Sequence, residues 1–245
     1  MYHFFVEEEQ IEEKLIRITG SDVNHIRNVL RMKPKEELLI SSRQGGDYHC
    51  AVETVGEDEV CVRILWKESL GRELSCEVIL FQGLPKGDKM ELVIQKNVEL
   101  GVTAIVPVAM KRCVVKLDEK KAAAKQRRWQ QIAESAAKQS KRGIIPEVKP
   151  VMGFSEALAY AKALDRKLLP YECAEGMQRT KQLLASILPG QKVGIFIGPE
   201  GGFEEQEVEA AEACGFQIMT LGRRILRTET AGMMLMSVLS YLLEE

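Results

Sequence analysis

Two segments stand out because their residue types and spacing could build a ligand site. The first, IGPEGGF at 197–203, follows the apolar run VGIF and precedes a stretch with helical periodicity. The second, LGRRILRTET at 221–230, connects the strand-like FQIMTLG to a long apolar helix. Parallel strands end on one edge of a sheet, where open α/β folds bind their ligands. We therefore expect both segments to lie at that edge and to frame one pocket.

The first segment also indicates a class of ligand. A phosphate-binding loop needs the spacing G-x-x-x-x-G-K-[ST], whereas this turn carries Glu200 and is followed by Glu204 and Glu205. Carboxylates there would repel a polyphosphate, and glycines let the backbone approach a flat ring. S-adenosylmethionine fits, because its sulfonium is positive and backbone amides can read its adenine. A nucleotide hydrolase fits least well, and a purely structural strand-to-helix turn is the remaining alternative.

From residue 76 onward, strand-like and helix-like segments alternate, as in a parallel α/β sheet. The predicted strands are CEVILFQG, AIVPVAM, LLPYECAE, KVGIFIG and FQIMTLG. The predicted helices are GDKMELVIQKNVELG, residues 119–142, a helix capped by Ser155, RTKQLLASIL, EEQEVEAAEACG and a last helix from Thr228. That last helix is apolar on nearly all sides, which predicts that it is buried, either in the core of one chain or in a dimer.

The first 72 residues have a different pattern. Short strands at ELLISS, YHCAVETV and VCVRILW alternate with turns at RQGGD and GEDE, which predicts a small β-rich domain. One helix interrupts it, starting at a Ser21/Asp22 cap and ending before Pro34. We therefore predict a β-rich domain at 1–72 and an α/β domain at 73–245.

Charge is segregated along the chain. The net charge is only -2, but residues 111–142 hold eleven Lys/Arg against three acidic residues, or +8. A basic patch in an acidic protein predicts a polyanionic partner that is contacted at one place. A solvated basic face is the alternative.

Other features exclude whole classes of protein. The N-terminus lacks a basic region followed by a long apolar run, so we expect no secretory signal and a cytoplasmic protein. The longest apolar stretch, AGMMLMSVLSYLL, is shorter than the roughly 20 residues that cross a bilayer. The six cysteines form no C-x-x-C pair and the three histidines have no ligand spacing, so we expect reduced thiols and no metal.

Several motifs resemble one known family. IGPEGGF, followed by LGRRILRTETA and GMMLMSVLSYLL, is similar to the SPOUT class of knotted RNA methyltransferases, and specifically to the ribosomal small-subunit methyltransferase E family. YHFFV and HIRNVLRMK resemble the start of that family's PUA-like RNA-binding domain, and KGDKMELVIQKNVELGV and AAKQSKR resemble further motifs. Lys138 departs from the pattern, since an acidic residue is usual there, and Lys141 stands where glycine is common.

The resemblance implies an S-adenosylmethionine-dependent enzyme that methylates N3 of a uridine in 16S rRNA. It also implies a trefoil knot in the C-terminal domain and a homodimer whose active site is completed across the interface. On this basis we place cofactor contacts at Ile197, Gly198, Pro199, Glu200, Gly201, Leu221, Gly222, Ile225, Leu226 and Thr228. We place RNA contacts at Arg27, Arg31, Arg112, Gln139 and Arg142, and on the lysines of the 119–142 helix.

Uridine N3 carries a proton at neutral pH, so the reaction needs a base or a cation that favours the deprotonated imide. In our hypothesis, Arg227 contacts the uracil or its phosphate, and either Glu200 or Glu229 accepts the proton. Arg227 could instead form a salt bridge at a helix start, and Glu229 could simply suit the first turn of a helix. Two other functions stay open: methylation of tRNA or a ribose 2′-hydroxyl, and a non-catalytic RNA-binding protein of ribosome assembly.

Overall fold

The computed structural model describes residues 1–42, 46–68 and 73–244. The first residues of the predicted RQGGD turn, and the predicted domain boundary at residue 72, lie outside this described part. The chain forms two compact units, one from Met1–Glu73 with Ala137–Ile145 and one from Leu74–Ala136 with Pro146–Glu245. The sequence did not indicate that residues 137–145 group with the first unit.

The first unit contains a five-stranded sheet in the order β1-β3-β4-β5-β2, in which β1 is parallel to β3 and the other pairs are antiparallel. Its inward side chains alternate along each strand and form one apolar cluster, which includes Phe4, Ile16, Leu38, Cys50 and Val62. The three predicted strands are confirmed, and β1 and β2 are additional. The strands are β1 (Tyr2–Val6), β2 (Leu15–Thr19), β3 (Glu37–Ser42), β4 (Gly46–Val55) and β5 (Glu59–Glu68).

The helix of this unit differs from the prediction in its start and its shape. Helix α1 (Ser21–Asn24) continues directly into a π-helical segment, His25–Leu30. Its N-cap is Gly20, with φ of 76°, and no side chain caps it, so the predicted Ser21/Asp22 cap is wrong. A glycine suits this position because the backbone enters the helix with positive φ.

The second unit contains a seven-stranded sheet in which every pair is parallel. The order is β12-β10-β11-β6-β7-β8, with β9 also paired to β7. Val78, Leu80 and Phe81 of β6 are all fully buried, as expected for a strand covered on both faces. The parallel α/β prediction is confirmed. The strands are β6 (Glu77–Gly83), β7 (Ala104–Ala109), β8 (Glu147–Val148), β9 (Met152–Gly153), β10 (Arg166–Pro170), β11 (Lys192–Ile197) and β12 (Gln217–Met219).

Six helices accompany this sheet near the predicted positions: α2 (Lys89–Glu99), α3 (Glu119–Ser140), α4 (Phe154–Tyr160), α5 (Met177–Ala185), α6 (Glu205–Ala213) and α7 (Thr228–Leu243). Several boundaries differ from the prediction, and two of the differences have a clear local cause. The N-cap of α4 is Gly153 rather than Ser155, with Glu156 accepting the Gly153 N–H at 2.8 Å. Strand β10 ends at Pro170, because the chain turns back there with the Ala174 N–H on the Tyr171 carbonyl at 3.1 Å.

The two long helices differ in how completely they are covered. In α3, Trp129 and Ala133 are buried and Arg127 and Gln131 on the opposite face are exposed, as predicted. Lys138 of that predicted outward face is only partly exposed and pairs with Asp22. In α7, four apolar side chains are buried: Leu235, Met236, Leu239 and Leu243. Tyr241, however, is 85% exposed and Leu242 is 47% exposed, so the expectation of burial on all sides is wrong for the single chain. No helix of the described residues is both long and apolar enough to span a membrane.

Candidate active site at the carboxyl edge of the parallel sheet

A cavity of about 410 Å³ lies at the carboxyl ends of β10, β11 and β12. The turn after β11 forms one wall and the segment 220–228, which runs from β12 into α7, forms another. The prediction that these two segments meet at one sheet edge and frame one pocket is confirmed. The residues that line the cavity are Lys89, Pro170, Tyr171, Glu172, Ile197, Gly198, Pro199, Glu200, Gly202, Phe203, Thr220, Leu221, Gly222, Arg223, Arg224, Ile225, Leu226, Arg227, Thr228 and Ala231.

Glycines set the shape of the turn after β11. A Cβ on Gly83, at the end of β6, would lie 2.6 Å from the backbone nitrogen of Pro199, so only glycine permits this approach. Gly202 has a φ of +68°, in the left-handed region, and its N–H donates to the Pro199 carbonyl at 2.9 Å. These glycines therefore serve close backbone packing as well as the cavity wall.

A buried chain of hydrogen bonds ties three segments together beneath the cavity. Gln82 Nε2, at the end of β6, donates to Thr228 Oγ1 at 2.8 Å. Thr228 Oγ1, at the start of α7, donates to the carbonyl of Gly198 at 2.6 Å. Gln82 and Thr228 are both buried, so water cannot reach these groups and the hydrogen bonds within the protein satisfy them instead. The chain fixes the start of α7 against the turn after β11.

Glu200 is held by the start of helix α2. Its Oε1 accepts a hydrogen bond from the Lys86 N–H at 3.1 Å and from Lys89 Nζ at 2.9 Å. Burial acts to raise the pKa of Glu200, but these hydrogen bonds outweigh it, so its pKa lies below the ordinary value. Lys89 Nζ also lies 3.5 Å from Glu229 Oε2, and its hydrogen bond to Glu200 is the main reason that the pKa of Lys89 is raised.

The charges around the cavity differ from our expectation. The lining residues include four basic ones, Lys89, Arg223, Arg224 and Arg227, but only two acidic ones, Glu172 and Glu200. The expectation that carboxylates dominate this site is therefore wrong, because Glu200 pairs with Lys89 and arginines occupy the second loop. Charge repulsion consequently gives no reason to exclude a phosphate-bearing ligand, and the choice of cofactor depends on other observations.

Most of the residues predicted for the pocket do line it. Of the ten predicted cofactor contacts, Gly201 is the exception, since its carbonyl accepts a hydrogen bond from Arg112 Nη1 at 3.1 Å. Arg227 is the N-cap residue of α7, is exposed to the cavity, and pairs with no acidic side chain of the described residues. Glu229 lies beside the lining residues and reaches the cavity wall through Lys89.

The residues predicted to contact RNA differ in their exposure and in their ion-pair partners. Arg27, Arg31, Arg112 and Gln139 are all exposed, although Arg27 lies 3.4 Å from Glu57. Arg142 is only 3% exposed and its guanidinium forms an ion pair with Glu73. The prediction that Arg142 contacts RNA is therefore wrong, because the side chain is enclosed and its charge is matched. Likewise the unusual Lys138 pairs with Asp22 at 3.3 Å.

Sequence reasoning did not assign ten of the cavity residues: Lys89, Pro170, Tyr171, Glu172, Gly202, Phe203, Thr220, Arg223, Arg224 and Ala231. Residues 170–172 could have been found from the parallel topology if β10 had been predicted to end at Pro170, because its carboxyl end then lies at the same edge. Lys89 could have been found in the same way, because it begins the helix that follows β6, and β6 ends at the same edge of the parallel sheet.

Comparison with known proteins identifies the family of this chain. The family described as RNA methyltransferase domain matches residues 72–240, and the one described as RNA methyltransferase PUA domain matches residues 18–65. Ribosomal RNA small subunit methyltransferase E of Bacillus subtilis strain 168 is 41% identical over 98% of this chain and 96% of its own length. The chain belongs to the ribosomal RNA small subunit methyltransferase E family.

Solved structures agree with this family. A crystal structure described as that of a hypothetical protein has a TM-score of 0.93 and 39% identity, covering 99% of this chain and 98% of its own. The ribosomal RNA small subunit methyltransferase E of Neisseria gonorrhoeae, bound to S-adenosyl methionine, has a TM-score of 0.83 and 32% identity, covering 99% of this chain and 98% of its own. The family resemblance seen in the sequence is confirmed, together with the α/β fold and its N-terminal PUA-like domain.

Proposed function

We propose that this chain is an S-adenosylmethionine-dependent methyltransferase that modifies N3 of a uridine in the 16S rRNA of the small ribosomal subunit. The observation that carries the proposal is the cavity formed by the 198–202 turn and the 220–228 segment at one edge of a parallel sheet, in a chain of this family. The relative from Neisseria gonorrhoeae, which shares the fold, is bound to S-adenosyl methionine.

The cavity fits this cofactor in size and in the character of its walls. Its volume of about 410 Å³ lies within the range of roughly 300–1,000 Å³ usual for small-molecule sites. Apolar side chains line it, and Gly198 and Gly222 leave backbone groups accessible. When bound, the cofactor supplies an electrophilic methyl group on a positive sulfur. We propose that it is held by Ile197, Gly198, Pro199, Glu200, Leu221, Gly222, Ile225, Leu226 and Thr228.

Two side chains can prepare the uracil ring. Arg227 lies at the cavity with no acidic partner among the described residues, so its guanidinium is available to favour the negative charge that develops on a deprotonated imide. Glu229, in the first turn of the same helix, can accept the N3 proton. Orientation of the ring against the methyl group supplies the rest of the acceleration, since well-placed reactants gain roughly 7–11 kcal/mol.

RNA must also be held outside the cavity. We propose that residues 1–72 form the RNA-binding domain and 73–245 the methyltransferase domain, supported by the two family matches at 18–65 and 72–240. Arg27, Arg31, Arg112 and Gln139 are exposed and supply candidate contacts. Exposed Lys120 and Arg127 on α3 extend this set.

Assembly and location complete the proposal. The exposed apolar residues Tyr241 and Leu242 on α7, with Leu92 on the neighbouring α2 at 41% exposure, support a homodimer through this face. Tyr241→Glu with Leu242→Glu would then produce a monomer in sedimentation, and an unchanged mass would remove this face from the dimer. The trefoil knot and a cytoplasmic location remain predictions from the family resemblance.

One experiment tests the reaction. The purified protein is incubated with methyl-labelled S-adenosylmethionine and with small subunits from a strain that lacks the modification, and the 16S rRNA is digested to nucleosides. We expect the label in 3-methyluridine. Label in tRNA or in a 2′-O-methyl nucleoside would contradict the proposal, as would the absence of any labelled RNA. In the last case, calorimetry shows whether the chain binds the cofactor. A chain that does not bind it fits the alternative of a non-catalytic RNA-binding protein.

A further inference from the structure

We propose that His49 and Trp66, on the sheet of the first unit, form a stacking platform for one unpaired nucleobase of RNA. Neither residue belongs to the motifs that pointed to the family or to the cavity at the parallel sheet. The inference rests on the proposed function in one respect, because it takes RNA as the ligand. It adds a base-binding site to that function.

The two rings stack across neighbouring strands. His49 of β4 lies opposite Trp66 of β5. Their ring centroids are 4.3 Å apart and their planes are inclined by only 14°. His49 is half-buried, whereas Trp66 is 50% exposed. The histidine therefore supports one face of the indole, while half of the tryptophan stays open to solvent.

A β-bulge brings Trp66 to this face of the sheet. Cys50 pairs with Ile64, and both belong to the apolar cluster or pack against it. His49 precedes Cys50 but pairs with Trp66, so Leu65 is an extra residue in β5. Strict alternation from Ile64 would point Trp66 into the cluster, and the extra residue turns it to the opposite face. The apolar cluster is thus built without the indole.

Cross-strand packing alone explains this pair less well. Aromatic pairs stabilise a sheet by covering apolar surface, but here the larger ring is half exposed. The next residue, Lys67, does not cover it, because its Nζ lies 5.1 Å from the centroid of the Tyr48 ring, which belongs to the apolar cluster. The indole is therefore held in one plane and left accessible, as a stacking partner from solution requires.

The chemistry of the platform indicates its ligand. Nucleobases that are unpaired stack on aromatic side chains, and the interaction tolerates any base because each has a π face. Support from His49 limits the freedom that the indole loses on binding. His49 lies within residues 18–65, which match the family described as RNA methyltransferase PUA domain, and Trp66 follows that match directly. A base inside a duplex does not fit, since both of its faces are already stacked.

The charges on this face suit the phosphate beside such a base. Arg63 lies opposite Ala51, which shares a face of β4 with His49. Arg63 is exposed and pairs with no acidic side chain in the described part of the chain. Asp47, also on this face, is only 1% exposed and accepts a hydrogen bond from Ser41, so its charge is enclosed. The face therefore offers a ring for the base and a cation for the phosphate.

Tryptophan fluorescence tests the stack directly, because the chain has only two tryptophans and Trp129 is 3% exposed. The full chain carrying Trp129→Phe is titrated with a short single-stranded oligouridylate, and with the same strand annealed to oligoadenylate. We expect saturable quenching of Trp66 by the single strand and little quenching by the duplex. Should Trp129→Phe fail to fold, the wild type gives the same readout, since its second tryptophan is enclosed.

Filter binding separates stacking from charge. Trp66→Ala should weaken oligouridylate binding about 5–100-fold, by the same factor at every salt concentration. Trp66→Phe should retain most of the affinity, and His49→Ala should fall between wild type and Trp66→Ala. Arg63→Gln should instead lower the slope of log affinity against log salt by about 1. Leu188→Ala, at an apolar residue that is 59% exposed in the second unit, is the matched control and should bind as wild type does.

Several outcomes would overturn the inference. Unchanged fluorescence at saturating oligouridylate would place the bases elsewhere, and equal quenching by the duplex would make the contact electrostatic. Wild-type affinity in Trp66→Ala would leave the ring pair to sheet packing or to a protein partner, and wild-type affinity in His49→Ala would remove the histidine from the platform. Failure of the proposed function is separate, because this binding is measured without cofactor or methyl transfer.

Discussion

The loops around the cavity and the basic segment 111–142 both carry several lysines and arginines, but these cations have different partners. At the cavity, Arg227 faces open space and has no acidic partner among the described residues. In the basic segment, Arg128 lies 2.7 Å from Glu91, Lys138 lies 3.3 Å from Asp22, and Arg142 is enclosed with Glu73. Position at the end of a parallel strand therefore indicates a site better than local charge does, because acidic residues distant in sequence can match a basic run.

The largest effect that we expect separates the two regions by stability. Arg142→Met should lower the free energy of unfolding by about 3–5 kcal/mol, because it leaves Glu73 with a largely enclosed charge and no cation. Urea unfolding measures this. The exposed pair offers the matched control, as Arg128→Met should leave the midpoint nearly unchanged. Similar midpoints for both variants would contradict the distinction.

The second prediction concerns catalysis at the cavity. Arg227→Ala should lower the single-turnover methylation rate about 10²–10³-fold, because it removes a donor aimed at developing negative charge. The melting temperature should stay close to that of wild type, since no ion pair is lost within the described residues. Full activity with normal cofactor affinity would exclude Arg227 from the reaction and would remove the contrast with Arg142.

A third test addresses the support beneath the cavity. Thr228→Val should cost about 1–3 kcal/mol of stability, because Gln82 and the Gly198 carbonyl would lose a buried partner. We also expect weaker cofactor binding in calorimetry, since the two loops lose their connection. Thr230→Val, on the same helix but outside the cavity lining, is the control. Unchanged stability in Thr228→Val would show that the hydrogen-bond chain is dispensable.

The fourth prediction uses pH. The pKa of Glu200 is below its ordinary value of 4.5 in the folded chain, so its ion pair stabilises the fold above about pH 4.5. That contribution is lost as the pH falls through the lower, folded pKa. The difference in melting temperature between wild type and Glu200→Gln should therefore be greatest near neutral pH and should vanish in acid. A difference that is constant with pH would refute the assignment.

The smallest expected effects belong to the exposed basic side chains. Lys120→Gln and Arg127→Gln should each reduce the slope of log affinity against log salt for RNA by about 1, with almost no change in stability. Arg142→Met should leave that slope unchanged, because its guanidinium does not face solvent. A slope that stays constant in both surface variants would remove α3 from the RNA interface.

The sequence was a good guide wherever periodicity and strand ends carried the information. The parallel sheet, the meeting of residues 198–202 with 221–228, and the start of α7 at Thr228 were all predicted. Partnerships across the chain were not, because pairs such as Lys89 with Glu200 and Arg142 with Glu73 depend on tertiary contacts. The electrostatic reading of Glu200 was wrong for the same reason, since a carboxylate's effect depends on which cation it meets.

The buried hydrogen bonds from Gln82 to Thr228 and from Thr228 to Gly198 have a kinetic consequence. Because they connect the two cavity walls within the polypeptide, the cavity has its shape before a ligand binds. The backbone then needs little ordering when the ligand binds, so the loss of conformational entropy on binding is small. After a change in ligand concentration, binding should therefore reach equilibrium without a slow conformational step of the protein.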